Sequence, residues 1–204
     1  MIAVGVAGGS GSGKSTFVRS LKDKLGANRA VVVQQDAYYR DQSHLVLEER
    51  KQLNFDHPNA IEWELMANHI ELLKLQSAVQ MPSYSMLTCT RGNETIEVAP
   101  AEIVLVEGIL IYTSGVLREM LDVKVFLEVD ETHRYERVLR RDMQERGRSE
   151  LEVQERFTET VEPMHMQFIE PSRVHADILV PGGGMNQHAI NLVSGMVNSI
   201  RKSK

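Results

Sequence analysis

Residues 1–21 read MIAVGVAGGSGSGKSTFVRSL: an apolar run, a glycine- and serine-rich turn, and a second patterned run in direct succession. Glycine with serine is linker composition, but the flanks are not those of a linker. Ile2, Val4 and Val6 alternate as in a strand, and Phe17, Val18 and Leu21 fall at helical spacing. Between them, Gly8 through Ser15 fit G-x-x-x-x-G-K-[ST]. A phosphate chain must be approached closely by backbone N–H groups, and Gly11 and Gly13 leave the space that a Cβ would take. The helix that begins near Gly13 points its unpaired N–H groups and positive dipole end at an anion. Lys14 reaches the outer phosphates, and the Ser15 hydroxyl is a hard oxygen suited to Mg²⁺. Gly8, Gly9, Ser10, Gly11, Ser12, Gly13, Lys14, Ser15 and Thr16 are therefore expected to cradle the phosphates of a nucleotide.

The 204 residues, 42% hydrophobic and 25% charged, predict one domain with room for a hairpin insert and a lid. A formal charge of −5 does not predict a nucleic-acid surface. Cys89 is the single cysteine, which rules out an internal disulfide and fits a reducing, cytoplasmic setting. No apolar stretch approaches the ~18 residues of a membrane span. No basic segment precedes the first strand, so no signal peptide is expected.

Strand and helix signals alternate along the chain. Strands are expected at Val31–Val33, Ile103–Val106, Val123–Leu127 and Ile178–Val180. Helices are expected over Ile61–Leu75, with apolar positions 61, 65, 72, 73 and 75, over Thr132–Arg146, and over His188–Lys202. Ser149 with Glu152 makes a capping box for a further helix. Residues 80–98 read as a β-hairpin turning at Arg91-Gly92-Asn93. The region around Met164–Met166 reads as core. The predicted class is α/β: a parallel sheet with helices on both faces, plus a β-hairpin and a helical lid over 132–160.

Ligands on such sheets bind beyond the carboxyl ends of the strands. Asp36 follows the second strand and Glu107 follows Ile103–Val106, so two carboxylates share an edge with the glycine turn. Phosphoryl transfer needs groups to hold Mg²⁺ and a group to orient or deprotonate the attacking hydroxyl. Glu107 suits the metal, and Asp36 suits the base with a secondary lean on the metal. Arg134, Arg137, Arg140, Arg141, Arg146 and Arg148 then occupy fifteen residues without a lysine. Arg134, Arg137 and Arg141 share one helix face. Glu131, Glu136, Asp142 and Glu145 supply counter-charges, so a solvated ion-pair surface is the plain alternative. Arginine is also the forked donor that suits phosphate oxygens, and Arg141, Arg146 and Arg148 are the expected lid contacts, with Gly147 as a break. His57 has no second ligand at metal spacing, and Cys89 reads as a small hydrophobe.

The pieces GGSGSGKST, QQDAYYRD, NFDHPNA, PSY, EGIL, RRDMQERGR, VEPMHMQFIEP and ADILVPGGG, in this order, resemble the uridine kinase (uridine-cytidine kinase) family of P-loop nucleoside kinases nearly end to end. The resemblance implies a P-loop kinase fold and ATP- or GTP-dependent phosphorylation of a pyrimidine ribonucleoside at its 5′-hydroxyl. It also implies Mg²⁺, a homotetramer and a role in pyrimidine salvage. By position it implies Asp36 as base, Ser15 and Glu107 at the magnesium, Asp56 as a ribose-binding carboxylate, Tyr84 as a nucleoside contact and Arg148 near the substrate. The acceptor pocket departs from the family pattern. Tyr84-Ser85-Met86 stands for Tyr-Asp-Phe, and Cys89 stands where a base-reading histidine is usual. Val138 stands for a lid arginine and Arg156 for a glutamine. A thiol does not reproduce the hydrogen bonding of imidazole. The alternative acceptor is another small-molecule hydroxyl, on a different nucleoside, a sugar phosphate or pantothenate. A nucleotide switch without acceptor is disfavoured, because N-K-x-D does not occur.

Overall fold

The computed structural model describes residues 1–203. In chain order the strands are β1 (Ile2–Gly8), β2 (Ala30–Gln34), β3 (Val79–Ser85), β4 (Thr90–Val98), β5 (Ile103–Glu107), β6 (Val123–Glu128) and β7 (Ile178–Pro181). The helices are α1 (Lys14–Leu25), α2 (Leu47–Lys51), α3 (Trp63–Lys74), α4 (Gly115–Met120), α5 (Glu131–Glu145), α6 (Glu150–Arg156) and α7 (Gln187–Ser203). The main sheet runs β2-β5-β1-β6-β7, parallel at every pair. Parallel strands buried on both faces must be apolar throughout, and β1 and β5 are buried at every position.

β1 shows how the two faces are filled. Ile2, Val4 and Val6 point to one side, into a cluster with Phe17, Leu21 and Leu25 of α1 and Ile190, Val193 and Val197 of α7. Ala3 and Ala7 point to the other, into a cluster with Ile70, Leu117 and Phe126. Gly5 lies between them because a Cβ there would stand 2.6 Å from Leu121 and 3.0 Å from the Tyr112 ring. The Tyr112 hydroxyl instead donates to the Gly5 carbonyl at 2.8 Å. Val138, Val153, Phe157 and Val161 form a third, separate cluster beneath α5 and α6.

Four sequence expectations are corrected. The hairpin β3–β4 forms, but its turn is 86–89, with Cys89 at φ 50, while Arg91, Gly92 and Asn93 lie within β4. Pro82 pairs with Thr95 and Tyr84 with Arg91, so residues 92–94 form a bulge in the ladder. Gly92 fits there because a Cβ would stand 2.5 Å from Ser83 Oγ. Helix α3 buries Met66, His69, Ile70 and Leu73, while Leu75 is 68% exposed. His69 belongs to that face, with Nδ1 bonded to the Tyr38 hydroxyl at 2.9 Å. At Met164–Met166 the buried residue is His165, and Met166 is 60% exposed. The chain here is not a plain α-helix: Phe157–Val161 and His165–Ile169 are π-helical turns. No regular α-periodicity can be read across such turns. Finally, α5 starts at Glu131, capped by the Asp130 side chain, which accepts from the His133 amide at 3.0 Å.

Candidate active site

A cleft of about 390 Å³ opens beyond the carboxyl ends of β1, β2 and β5. It gathers Ser10, Lys14, Ser15, Asp36, Asp56, Tyr84, Glu107, Arg141, Arg146 and Arg148, nearly all the side chains singled out in the sequence. Thr16 is exposed and outside the lining.

The floor of the cleft is the turn between β1 and α1. Gly11 has φ 80, and a Cβ on it would lie 2.4 Å from the Arg134 carbonyl. The missing side chain there makes room for α5, not only for a ligand. Gly184 seals the turn from beneath: its amide donates to the Ser12 carbonyl at 3.2 Å, and a Cβ on it would lie 2.0 Å from the Gly13 oxygen. The loop 181–184 therefore shapes the phosphate turn, a role not read from the sequence. Arg137 also supports it, with Nη1 donating to the Gly11 carbonyl at 3.3 Å.

Lys14 Nζ donates to the Gly8 and Gly9 carbonyls, each at 2.9 Å. Both Lys14 and Asp36 keep some surface open to the cleft, yet protein crowds them on every other side. That burial lowers the Lys14 ammonium to about 8, against the pull of Glu107 and Asp36. Burial likewise raises the Asp36 carboxyl above its ordinary range, while Lys14, Arg146 and Arg141 draw it back. A carboxyl raised and an ammonium lowered by the same crowding mark this part of the cleft as a candidate functional site.

Glu107 is 5% exposed. Its Oε1 accepts from Gln34 Nε2 at 3.0 Å, and its Oε2 is buried with no partner. An unpaired buried carboxylate oxygen is costly unless a cation completes it. With the Ser15 hydroxyl in the same cleft, the donor set is hard oxygen and fits Mg²⁺. Ser12 Oγ, Arg134 Nη1 and His165 Nδ1 are further buried atoms without partners near the turn. Burial beside Arg134 and Lys14 takes the His165 imidazole down to about 4, so it is neutral at pH 7.

Arg134 is buried, with Nη2 donating to Glu162 Oε2 at 2.6 Å. Arg141 Nη2 lies 3.5 Å from Ser10 Oγ. Arg146 and Arg148 turn back toward Asp142, whose burial is outweighed by Arg141, Arg146 and Arg148, so its carboxyl stays below the ordinary range. Arg146 does so from one helical turn on, and Gly147, at φ 65, makes the turn that brings Arg148 back. Ser149 and Glu152 form the expected capping box: the Ser149 amide donates to Glu152 Oε2 at 2.7 Å and the Glu152 amide to Ser149 Oγ at 3.3 Å.

At the far end of the cleft, Asp56 is 4% exposed and accepts from Arg156 Nη2 at 2.8 Å. Tyr84 packs on Tyr39, with ring centroids 5.0 Å apart, and Tyr39 on Phe55 at 5.2 Å. Cys89 is buried, and its Sγ donates to the Met86 carbonyl at 3.6 Å. Val138 and Val161 close the wall. Among the described residues no cluster of three or more His, Cys, Asp or Glu is placed to hold a metal. No described helix is long and apolar enough to cross a membrane.

The profile of the Phosphoribulokinase / Uridine kinase family matches residues 3–189. A uridine kinase of Clostridium tetani is 44% identical over 204 residues, covering 100% of this chain and 98% of the relative. A uridine kinase of Chloroflexus aggregans is 43% identical over 202 residues, covering 99% and 97%. A crystal structure from Silicibacter, provisionally named a fructose transport system kinase, aligns with TM-score 0.72 and 25% identity over 88% of this chain and 89% of its own.

Proposed function

The chain belongs to the Phosphoribulokinase / Uridine kinase family, and on that premise we propose that it phosphorylates the 5′-hydroxyl of a pyrimidine ribonucleoside, uridine or cytidine, with ATP or GTP as donor. The observation that carries this reading is one cleft with the phosphate turn and Asp36 at one end and Asp56 with Tyr84 at the other. The donor phosphates lie on Gly8–Thr16. Ser15 and Glu107, with Asp36 close by, are the residues that would hold Mg²⁺. When bound, Mg²⁺ neutralises charge on the donor phosphates. Asp36 takes the proton of the acceptor hydroxyl, and its raised affinity for protons suits that task. Lys14 and Arg141 face the charge that spreads over the transferring group, and Arg146 adds to the nucleotide contacts. Asp56 accepts from the ribose hydroxyls with Arg156 holding it in place, while Tyr84 and Arg148 border the nucleoside. Residues 132–160 act as a lid with its own small apolar cluster, and closing it excludes water that would otherwise hydrolyse the donor. By family likeness the assembly is a homotetramer in the cytoplasm, serving pyrimidine salvage.

The test is an acceptor panel read by ADP or GDP formation. Uridine and cytidine should stimulate turnover with ATP or GTP. Because Cys89, Val138 and Arg156 line the acceptor end, other nucleosides, sugar phosphates and pantothenate belong in the panel. Stimulation by one of those alone would transfer the assignment to that acceptor.

A further inference from the structure

Asp142 is 1% exposed and is ringed by three guanidiniums. Arg141 Nε and Nη2 reach its Oδ1 at 2.8 and 2.7 Å. Arg146 Nη1 stands 3.5 Å from the same oxygen, and Arg148 Nη1 donates to Oδ2. The main chain repeats the convergence: the Arg146 and Arg148 amides both donate to the Asp142 carbonyl at 3.2 Å. All three arginines line the cleft. Side by side, three guanidiniums repel one another and would spread into water. One buried carboxylate gathers them, and since a single negative charge does not neutralise three positive ones, the group keeps positive charge facing the cleft.

We propose that Asp142 is a positioning residue for phosphoryl transfer, holding Arg141, Arg146 and Arg148 toward the cleft in advance of the substrate. This rests on the phosphotransfer reading above. Asp142 does not itself meet the reacting atoms, because both its oxygens are taken by the arginines. Preset donors cost no reorganisation when charge develops, so their loss falls on the chemical step. A purely structural ion cluster would instead act on folding alone.

The experiment compares wild type, Asp142→Asn and Asp142→Glu for kcat, acceptor KM, nucleotide Kd by calorimetry, and folded fraction by circular dichroism. Asp142→Asn keeps the shape and removes the charge. It should lower kcat about 10- to 100-fold per folded molecule, as displaced transition-state donors do. Acceptor KM and nucleotide Kd should change less than kcat, by no more than about tenfold, since the phosphate turn and Asp56 are untouched and only the Arg146 and Arg148 contacts are loosened. Asp142→Glu keeps the charge one methylene further out, so its kcat should fall between the other two. Wild-type kcat in a folded Asn variant overturns the proposal, as does activity lost only in step with the folded fraction. If the Asn variant does not fold, the Glu variant decides: a kcat lowered by more than Kd is raised supports the proposal, and an unchanged kcat overturns it. Failure of both to fold leaves a structural role and overturns it too. A wild-type chain without turnover on any acceptor overturns this proposal together with the reading beneath it, whereas an active wild type beside an unaltered Asn variant removes this one alone.

Discussion

The two ends of the cleft are made from different material. The phosphate end is mostly main chain: a turn between β1 and α1, braced by the Gly184 amide and closed around Lys14. The acceptor end is all side chain, drawn from loops and helices far apart in sequence, as in the Arg156–Asp56 pair a hundred positions apart. Main-chain sites tolerate almost no change in residue type, because the glycines are there for want of a Cβ. Side-chain sites can be rewritten one contact at a time. The difference explains how one chain carries the whole phosphate motif together with Cys89, Val138 and Arg156 in its acceptor wall.

The largest effect should come at the proton acceptor of the phosphate end. Asp36→Asn removes the base and should cut kcat by about 10²- to 10⁴-fold while calorimetry still records nucleotide binding. Lost binding with intact chemistry would reverse the role given to Asp36. Gly184→Ala pushes a Cβ onto the Gly13 carbonyl, 2.0 Å away. With about 1–3 kcal/mol of displaced backbone, nucleotide Kd should rise roughly tenfold or more, while the Kd of nucleoside measured alone stays put. An unchanged nucleotide Kd would mean that the loop 181–184 does not shape the turn. Asp56→Asn breaks the charged pair at the other end. Acceptor kcat/KM should fall about 10- to 100-fold at constant nucleotide Kd, and equal damage to both substrates would dissolve the division between the ends.

A pH profile sharpens the same contrast. Burial lowers the Lys14 ammonium to about 8, so its charge is present below that pH and lost as pH rises through it. The kcat/KM for nucleotide, which reports the free enzyme, should decline above pH 8. Bound phosphate favours the charged amine, so kcat should hold to higher pH, and a kcat/KM flat to pH 10 would contradict the crowding of Lys14. The smallest effect is expected at Cys89→Ser. The thiol makes only a weak bond to the Met86 carbonyl, so acceptor KM should change by less than about fivefold.

How much of this could be read from the chain follows the same division. The phosphate turn, the parallel strands and the capping box at Ser149 are local: neighbouring residues fix them, and each appears where the sequence puts it. The hairpin turn was misplaced because Arg91-Gly92-Asn93 is good turn chemistry, yet the ladder uses Gly92 to clear Ser83 and leaves the turn to Cys89 at φ 50. The buried face of α3 runs through Met66, Ile70 and Leu73 rather than 65, 72 and 75, and His69 joins it through Tyr38. Asp142 looked like one counter-charge among four on an arginine-rich helix. Its role appears when Arg146, one helical turn on, and Arg148, folded back by Gly147, both meet it.

The sequence by itself determined the phosphate turn, the alternation of strands and helices and the strand-end carboxylates, because these depend on backbone freedom and on burial pattern over a few neighbouring residues. The tertiary structure alone decided that Glu107 keeps one oxygen unpaired, that Gly184 braces the turn and that Arg156 meets Asp56. Those are contacts between residues brought together by the packing of the sheet and the lid, and no local pattern records them.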